Sequence, residues 1–241
     1  MLPFNVYEDS RRAEAYARLE FPGTYYLAYR DLPALLADHV RGRRALDFGC
    51  GAGRSTRFLR GLGFDAVGVD VSEEMVRRAA GRDPGGDYRL IADGDLGQFP
   101  ARSFDLVLSA FTFDNIPGRE RKAALFAALV GLLSDTGRIV SVVSAPEIYT
   151  HEWASFSTRD FPENRTARCG DPVRIIMTDV EDRRPVVDVV WPDEAYQEVY
   201  RAAGLEAVAT HRPLGREDEP IRWVNETRNA PWVIYVLRAA G

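Results

Sequence analysis

The stretch Asp47-Phe48-Gly49-Cys50-Gly51-Ala52-Gly53 constrains this chain more than any other. It follows a short apolar run, residues 45–48, and leads into a helical pattern at 54–62. Glycines placed there let the backbone turn sharply and let a ligand approach the main chain. The same rhythm then repeats. Apolar runs at 66–69, 88–92, 104–110 and 137–144 alternate with helical patterns at 73–80 and 119–133, the first of which Ser72 can cap. Strands this apolar on both faces, alternating with helices, predict a parallel sheet covered on both sides.

The spacing of the loop narrows its ligand. A dinucleotide-binding loop reads GxGxxG, and here its third glycine would fall on Arg54. Asp47, two residues before the first glycine, would repel a pyrophosphate but can organise a cationic amino-acid moiety. A nicotinamide oxidoreductase is therefore disfavoured. The net charge of -5 and pI of about 5.4 disfavour a nucleic-acid partner. Lys122 is the only lysine beside many arginines, which reads as coding bias. No apolar run reaches the roughly 20 residues of a membrane span, and the charged N-terminus lacks a signal-peptide pattern. These features predict a soluble, cytoplasmic protein with no membrane partner. Cys50 and Cys169, with three scattered histidines, predict neither a disulfide framework nor a metal site. A length of 241 residues suits one domain.

Residues 45–54 resemble the first motif of the class I S-adenosylmethionine (SAM) dependent methyltransferases, and Val67-Gly68-Val69-Asp70-Val71-Ser72 resembles their second. The resemblance implies that Gly49, Cys50, Gly51 and Gly53 cradle SAM and that Asp70, followed by Val71, accepts both ribose hydroxyls. Met75, in Ser72-Glu73-Glu74-Met75, would pack against the adenine. In the segment Ile91-Ala92-Asp93-Gly94-Asp95, Asp93 and the next backbone N–H would hold the adenine edge, with Asp95 as the fallback. Residues 103–111 resemble the fourth motif, which places Ser109 beside the methyl group. The motif of the amino-group methyltransferases of DNA, RNA and protein is missing: Ser109-Ala110-Phe111-Thr112-Phe113-Asp114-Asn115 stands in its place. That points to the small-molecule branch, similar to ubiquinone-biosynthesis-type and antibiotic-tailoring methyltransferases.

The fold expected is accordingly α/β and Rossmann-like: a seven-stranded, mostly parallel sheet with helices on both faces. It would carry an N-terminal helical cap over residues 1–40, with helices near 11–19 and 31–40, and an insertion over 145–190 after the fifth strand. The reaction implied is methyl transfer from SAM, leaving S-adenosylhomocysteine, to oxygen or nitrogen of a small apolar or heteroaromatic acceptor. A non-catalytic SAM-binding protein, or a tRNA or protein methyltransferase, is the alternative, and the assembly is a monomer or homodimer. Candidate bases are His151, in the aromatic insertion, and Asp114 after the fourth strand. The tyrosine-rich segment 23–31 suits a lid, with Arg30 or Tyr25 holding the SAM carboxylate. The acceptor wall is expected from Phe111, Phe113, Tyr149, Trp153 and Phe156.

Overall fold

The computed structural model describes residues 20–241, so the helix expected near 11–19 lies outside the described residues. The described residues begin with α1 (Thr24–Arg30) and α2 (Leu32–His39), then alternate through β1 (Arg44–Phe48), α3 (Arg54–Gly61), β2 (Asp65–Asp70), α4 (Glu73–Arg82), β3 (Asp87–Leu90) and β4 (Phe104–Ala110). A 3-10 turn at Thr112–Asn115 precedes α5 (Arg119–Leu132) and β5 (Leu133–Ser144). The insertion supplies three short strands, β6 (Phe156–Ser157), β7 (Pro172–Met177) and β8 (Val186–Val189). It is followed by α6 (Asp193–Ala202), β9 (Leu205–His211) and β10 (Trp232–Ala239).

The main sheet has the order β3-β2-β1-β4-β5-β10-β9. β1 to β5 pair in parallel, while β10 is antiparallel to both β5 and β9. The chain winds outward from β1 to β3, then returns to β4 on the other side of β1. Strand order therefore reverses between β1 and β4, and the crevice outside their carboxyl ends is where an open parallel sheet binds ligands. Asp47 lies at that reversal, in register with Gly68 on β2 and Leu108 on β4.

Each sheet face carries its own core. One face packs α1, α2, α3 and the inserted strands over Ala45, Leu106, Leu108, Val140 and Ile234. The other packs Phe126 and Leu129 of α5 and Tyr196 and Val199 of α6 over Leu46, Val107, Ile139 and Tyr235. The alternation along each strand sends successive residues to opposite cores. In α5, the helix expected at 119–133, Phe126, Leu129 and Leu132 are buried together with Lys122. Among the described residues no helix is long and apolar enough to cross a membrane.

The tyrosine-rich segment is no exposed flap. It folds as α1, with Tyr25, Leu27, Ala28 and Tyr29 buried. Thr24 anchors it: its hydroxyl donates to Glu226 (2.6 Å), its N–H donates to Ser155 Oγ (2.8 Å), and its carbonyl accepts the Trp232 indole N–H (2.8 Å). Glu226 is fully buried and also accepts the Ala154 and Val224 N–H groups. One carboxylate thus joins α1, the insertion and the segment before β10. Gly23, at φ +48°, makes the approach possible, because a Cβ there would lie 2.2 Å from Ser155 Oγ.

Candidate active site

The turn after β1 is held from below. The N–H groups of Gly49 and Cys50 both donate to the Val69 carbonyl (2.9 Å each), and Gly51 N–H donates to Asp70 Oδ2 (2.8 Å). Gly49, Gly51 and Gly53 all have left-handed φ values, +76°, +53° and +81°, which explains the residue type. They differ in what surrounds them. A Cβ on Gly49 would collide with Thr112, and one on Gly53 would crowd Tyr88, whereas one on Gly51 would meet nothing within 4 Å. The turn is concave and open at Gly51.

Asp47 sits beneath this turn, buried. Its Oδ2 accepts the hydroxyls of Ser55 and Thr56, both at 2.6 Å, and its Oδ1 has no hydrogen-bond partner among the described residues. Burial pushes its carboxyl up to about 6, against the two hydroxyl donors and the charge of Arg54. Asp70, at the end of β2, accepts Gly51 N–H on one oxygen and Ser72 N–H on the other (2.8 Å each). Burial raises its carboxyl above the ordinary range. A carboxylate has about four lone-pair sites, so acceptor capacity remains on both oxygens. The apolar surface beside Asp70 comes from Val71, 51 % exposed, and Leu90, 49 % exposed.

The remaining cofactor candidates divide. Met75 is 2 % exposed, with its N–H capped by Ser72 Oγ, so it packs inside the fold rather than presenting a face for adenine. Asp93 is exposed with both oxygens on Arg121, a surface pair worth under about 1 kcal/mol. Gly94 turns left-handed after it, and Asp95 accepts Gly97 N–H within its own loop. Cys50 is buried and its thiol lies 3.6 Å from the Gly51 carbonyl, with burial pushing its pKa well up. Ser109 is buried beside Ser141 of β5, its hydroxyl without a partner among the described residues.

Arg30 does not face the turn. It donates to Asp31, Glu219 and the Leu214 carbonyl, the two carboxylates lying 2.6–2.8 Å away. The cation that opens α3 directly after Gly53 is Arg54. It is buried over the rings of Tyr25, Tyr29 and Phe21 (4.8, 5.5 and 5.9 Å to centroid) and donates to the Glu20 carbonyl. Tyr25 thus lies under Arg54 rather than gating the turn.

Next to the turn opens a small cleft. Its wall is built by Tyr25 from α1, Phe111, Asp114 and Asn115 after β4, Ser144 and Ile148 after β5, and Trp232 from β10. The insertion contributes Phe156, Ile175, Met177, Val186 and Asp188. Phe111 turns the chain at φ +66°, a region costly for a side chain of this size. That turn sets its ring 4.6 Å from Trp232 and 5.7 Å from Tyr25, and lets the Thr112 hydroxyl bond the Phe48 carbonyl. Asp114 is buried on the cleft floor. Its carboxylate accepts Ser144 N–H (3.1 Å), Ser144 Oγ (2.9 Å) and the Tyr196 hydroxyl (3.5 Å). Burial pushes it up to about 6, opposed by Ser144 and by the charge of Lys122. Lys122 is itself fully buried, donates to the Phe113 carbonyl, and is lowered to about 8 by burial. Asp188 accepts the Tyr149 hydroxyl (3.2 Å).

Four residues expected at this wall need correction. His151 does not line the cleft: its Nδ1 is turned to the Glu147 carbonyl and the Thr150 hydroxyl, within its own turn. Phe113 is buried in the opposite core, stacked on Phe126 at 3.9 Å. Tyr149 and Trp153 are packed inside the insertion rather than facing the cleft. The 3-10 turn Pro146–Tyr149 buries its last two residues, Ile148 and Tyr149, and the Trp153 indole N–H is used on the Ile148 carbonyl. Sequence reasoning missed Trp232, Ser144, Lys122 and Asp188. The signal for Asp188 was an acid in the inward register of the otherwise apolar strand Val186–Val189.

A doubly wound sheet with an open glycine turn and strand-end carboxylates is an architecture built to bind a ligand at the reversal of strand order. Residues 46–141 match the methyltransferase domain family. It is 36 % identical over 129 residues to nocamycin O-methyltransferase of Saccharothrix syringae, covering 49 % of this chain and 44 % of that protein. It is 30 % identical over 99 residues to ubiquinone biosynthesis O-methyltransferase of Bordetella avium, covering 39 % and 41 %. The chain thus spans under half the length of these curated relatives. An S-adenosylmethionine-dependent methyltransferase from Clostridium acetobutylicum shares the fold, with a TM-score of 0.62, 13 % identity and coverage of 98 % and 97 %. Domain and fold together imply S-adenosylmethionine as cofactor.

Proposed function

We propose that the protein transfers a methyl group from S-adenosylmethionine to oxygen or nitrogen of a small-molecule acceptor, in specialised or cofactor metabolism. The observation that carries this reading is Asp47 Oδ1, a buried carboxylate oxygen without a partner under a turn that is open at Gly51. A buried polar atom left unpaired costs free energy unless a ligand completes it. The amino-acid moiety of the cofactor carries the cation that fits. Asp70, with acceptor capacity left at the end of β2, suits vicinal ribose hydroxyls, and Val71 and Leu90 offer apolar surface for the adenine. The reading assigns the carboxylate contact to Arg54, which directly follows Gly53, rather than to Arg30, which is committed to Asp31 and Glu219.

When bound, the cofactor supplies an electrophilic methyl group on a sulfonium. The chain's own task is to hold the acceptor, exclude water and align its nucleophile. Positioning of this kind lowers a barrier by up to about 7–11 kcal/mol. The cleft beside the turn suits the acceptor, and Asp114 suits the proton. Burial brings its carboxyl near 6, so it is mostly ionised at neutral pH and still able to take a proton.

The test is calorimetry with S-adenosylmethionine and S-adenosylhomocysteine, followed by release of S-adenosylhomocysteine across an acceptor library. Asp70→Ala is expected to weaken binding by roughly 1.5–3 kcal/mol, the range for hydrogen bonds to a charged group. A folded wild-type protein that binds neither ligand refutes the reading. Binding without turnover of any acceptor favours a non-catalytic role.

A further inference from the structure

Asp114 lines the cleft, and Lys122, the chain's only lysine, is buried behind the cleft wall. Lys122 is the fourth residue of α5, near the helix end whose dipole disfavours a cation. Its burial costs desolvation that an apolar side chain of similar volume avoids. What it meets accounts for it. It donates to the Phe113 carbonyl, on the peptide that leads into Asp114. It lies over the rings of Trp191 and Tyr196, 5.0 and 5.4 Å from their centroids, and the Tyr196 hydroxyl in turn donates to Asp114 (3.5 Å). One side chain thus braces the turn that carries Asp114, the tyrosine that donates to it, and Trp191 just after β8. Burial lowers Lys122 to about 8, opposed by the charges of Asp114, of Asp188 on β8 and of Cys169. The ammonium therefore predominates at neutral pH. Burial raises Asp114 to about 6, opposed by Ser144 and then by the charge of Lys122. Tyr149, Tyr196 and Tyr200 also feel the Asp114 charge, and burial pushes each phenol well up, so all three stay neutral.

We propose, building on the methyl-transfer reading, that Lys122 is the positioning residue for Asp114: its ammonium fixes the turn Thr112–Asn115 from behind and supplies the buried positive charge that keeps the Asp114 carboxylate ionised at the cleft. Asp114 and Asp188 line the same cleft, and buried carboxylates disfavour one another's ionisation. A single cation acting on both offsets this. Removing it leaves the carboxylates uncompensated, and they then take up protons. The compact ammonium suits a place walled by two rings and a carbonyl, where the planar guanidinium fork of the chain's usual cation needs more room. Lys122 does not line the cleft, so it acts through Asp114 and not on the acceptor.

The experiment is an NMR titration of the full chain labelled at the lysine side-chain carbon next to nitrogen and at the aspartate carboxyl carbons. The only lysine gives one signal, and Asp114→Asn identifies the Asp114 signal by its loss. At neutral pH the lysine signal should be that of an ammonium. Asp114→Asn should lower the lysine's proton affinity at least about tenfold, one unit in its midpoint. Lys122→Gln keeps a donor for the Phe113 carbonyl without the charge, and it should raise the Asp114 proton affinity by about the same factor, because coupling between two titrating sites is reciprocal. With an acceptor in hand, Lys122→Gln should move the acid limb of the kcat profile to higher pH and keep the KM for S-adenosylmethionine. A lysine with a merely structural role would leave both midpoints in place. A neutral Lys122 at neutral pH, or a lysine affinity that Asp114→Asn changes less than about threefold, overturns the proposal. Both readouts keep Lys122 in the protein, so they stand even if Lys122→Gln does not fold. Coupled midpoints in a protein that binds neither S-adenosylmethionine nor S-adenosylhomocysteine refute the methyl-transfer reading alone, and turnover with independent midpoints refutes the proposal alone.

Discussion

Replacing Asp47 by Asn should stabilise the ligand-free protein near neutral pH while weakening its cofactor binding. Burial raises the Asp47 carboxyl from 3.8 to about 6. A rise of that size corresponds to about 3 kcal/mol between the neutral and ionised forms. The sign follows from proton linkage: with the higher pKa in the native state, that state binds the proton more tightly than the unfolded chain. The contribution is therefore fully present below the unfolded value and is lost as pH rises through about 6. The amide of the Asp47→Asn variant removes the titration and keeps an acceptor for Ser55 and Thr56, but it puts an N–H₂ where Oδ1 stood, which offsets part of the gain. Urea denaturation of both proteins from about pH 4 to about pH 7 isolates the effect. The stability difference, wild type minus Asp47→Asn, should fall by about 2–3 kcal/mol over that window. A difference independent of pH would show that Asp47 is not held protonated by burial, and the reasoning would fail. Calorimetry supplies the second half: weaker S-adenosylmethionine binding by the variant is expected, and equal affinity would remove Asp47 from the cofactor's amino-acid end.

Two further predictions use the same protein. Arg54→Ala should weaken S-adenosylmethionine affinity about tenfold or more while Arg30→Ala leaves it within about threefold, because Arg30 is committed to Asp31 and Glu219 away from the turn; calorimetry showing the reverse order returns the carboxylate contact to Arg30. Glu226→Ala should cost about 3 kcal/mol or more in chemical denaturation, since it strands the Thr24 hydroxyl and the Ala154 and Val224 N–H groups together; a loss under about 1 kcal/mol would mean that α1 is held by its apolar packing alone.

The sheet and the turn were legible in the sequence for a local reason. A strand that is apolar on both faces, a helix with a 3.6-residue stripe and a glycine at left-handed φ are each encoded within a few neighbouring residues. The run at 104–110 coincides with β4 to the residue, and Asp47 and Asp70 fall at the ends of β1 and β2 with Gly51 in the turn after β1 because the turn chemistry of the chain puts them there. What the local code does not carry is which side chain meets which across the molecule. Thr24 bonds Trp232 and Glu226 across some 200 residues. That contact, rather than any property of segment 23–31, makes α1 a wall instead of a flap. His151 and Asp188 are both polar residues in an aromatic insertion, and only the pairing of β7 with β8 decides that Asp188 reaches the cleft while His151 closes its own turn. Arg30 and Arg54 are equally cationic in sequence; packing puts carboxylates beside one and aromatic rings under the other. Lys122, one lysine among arginines, read as coding bias until the fold buried it behind the cleft, where burial rather than any sequence neighbour lowers its pKa to about 8. Desolvation and long-range pairing exist only once the chain has closed, and they decide which of the legible residues face the ligand.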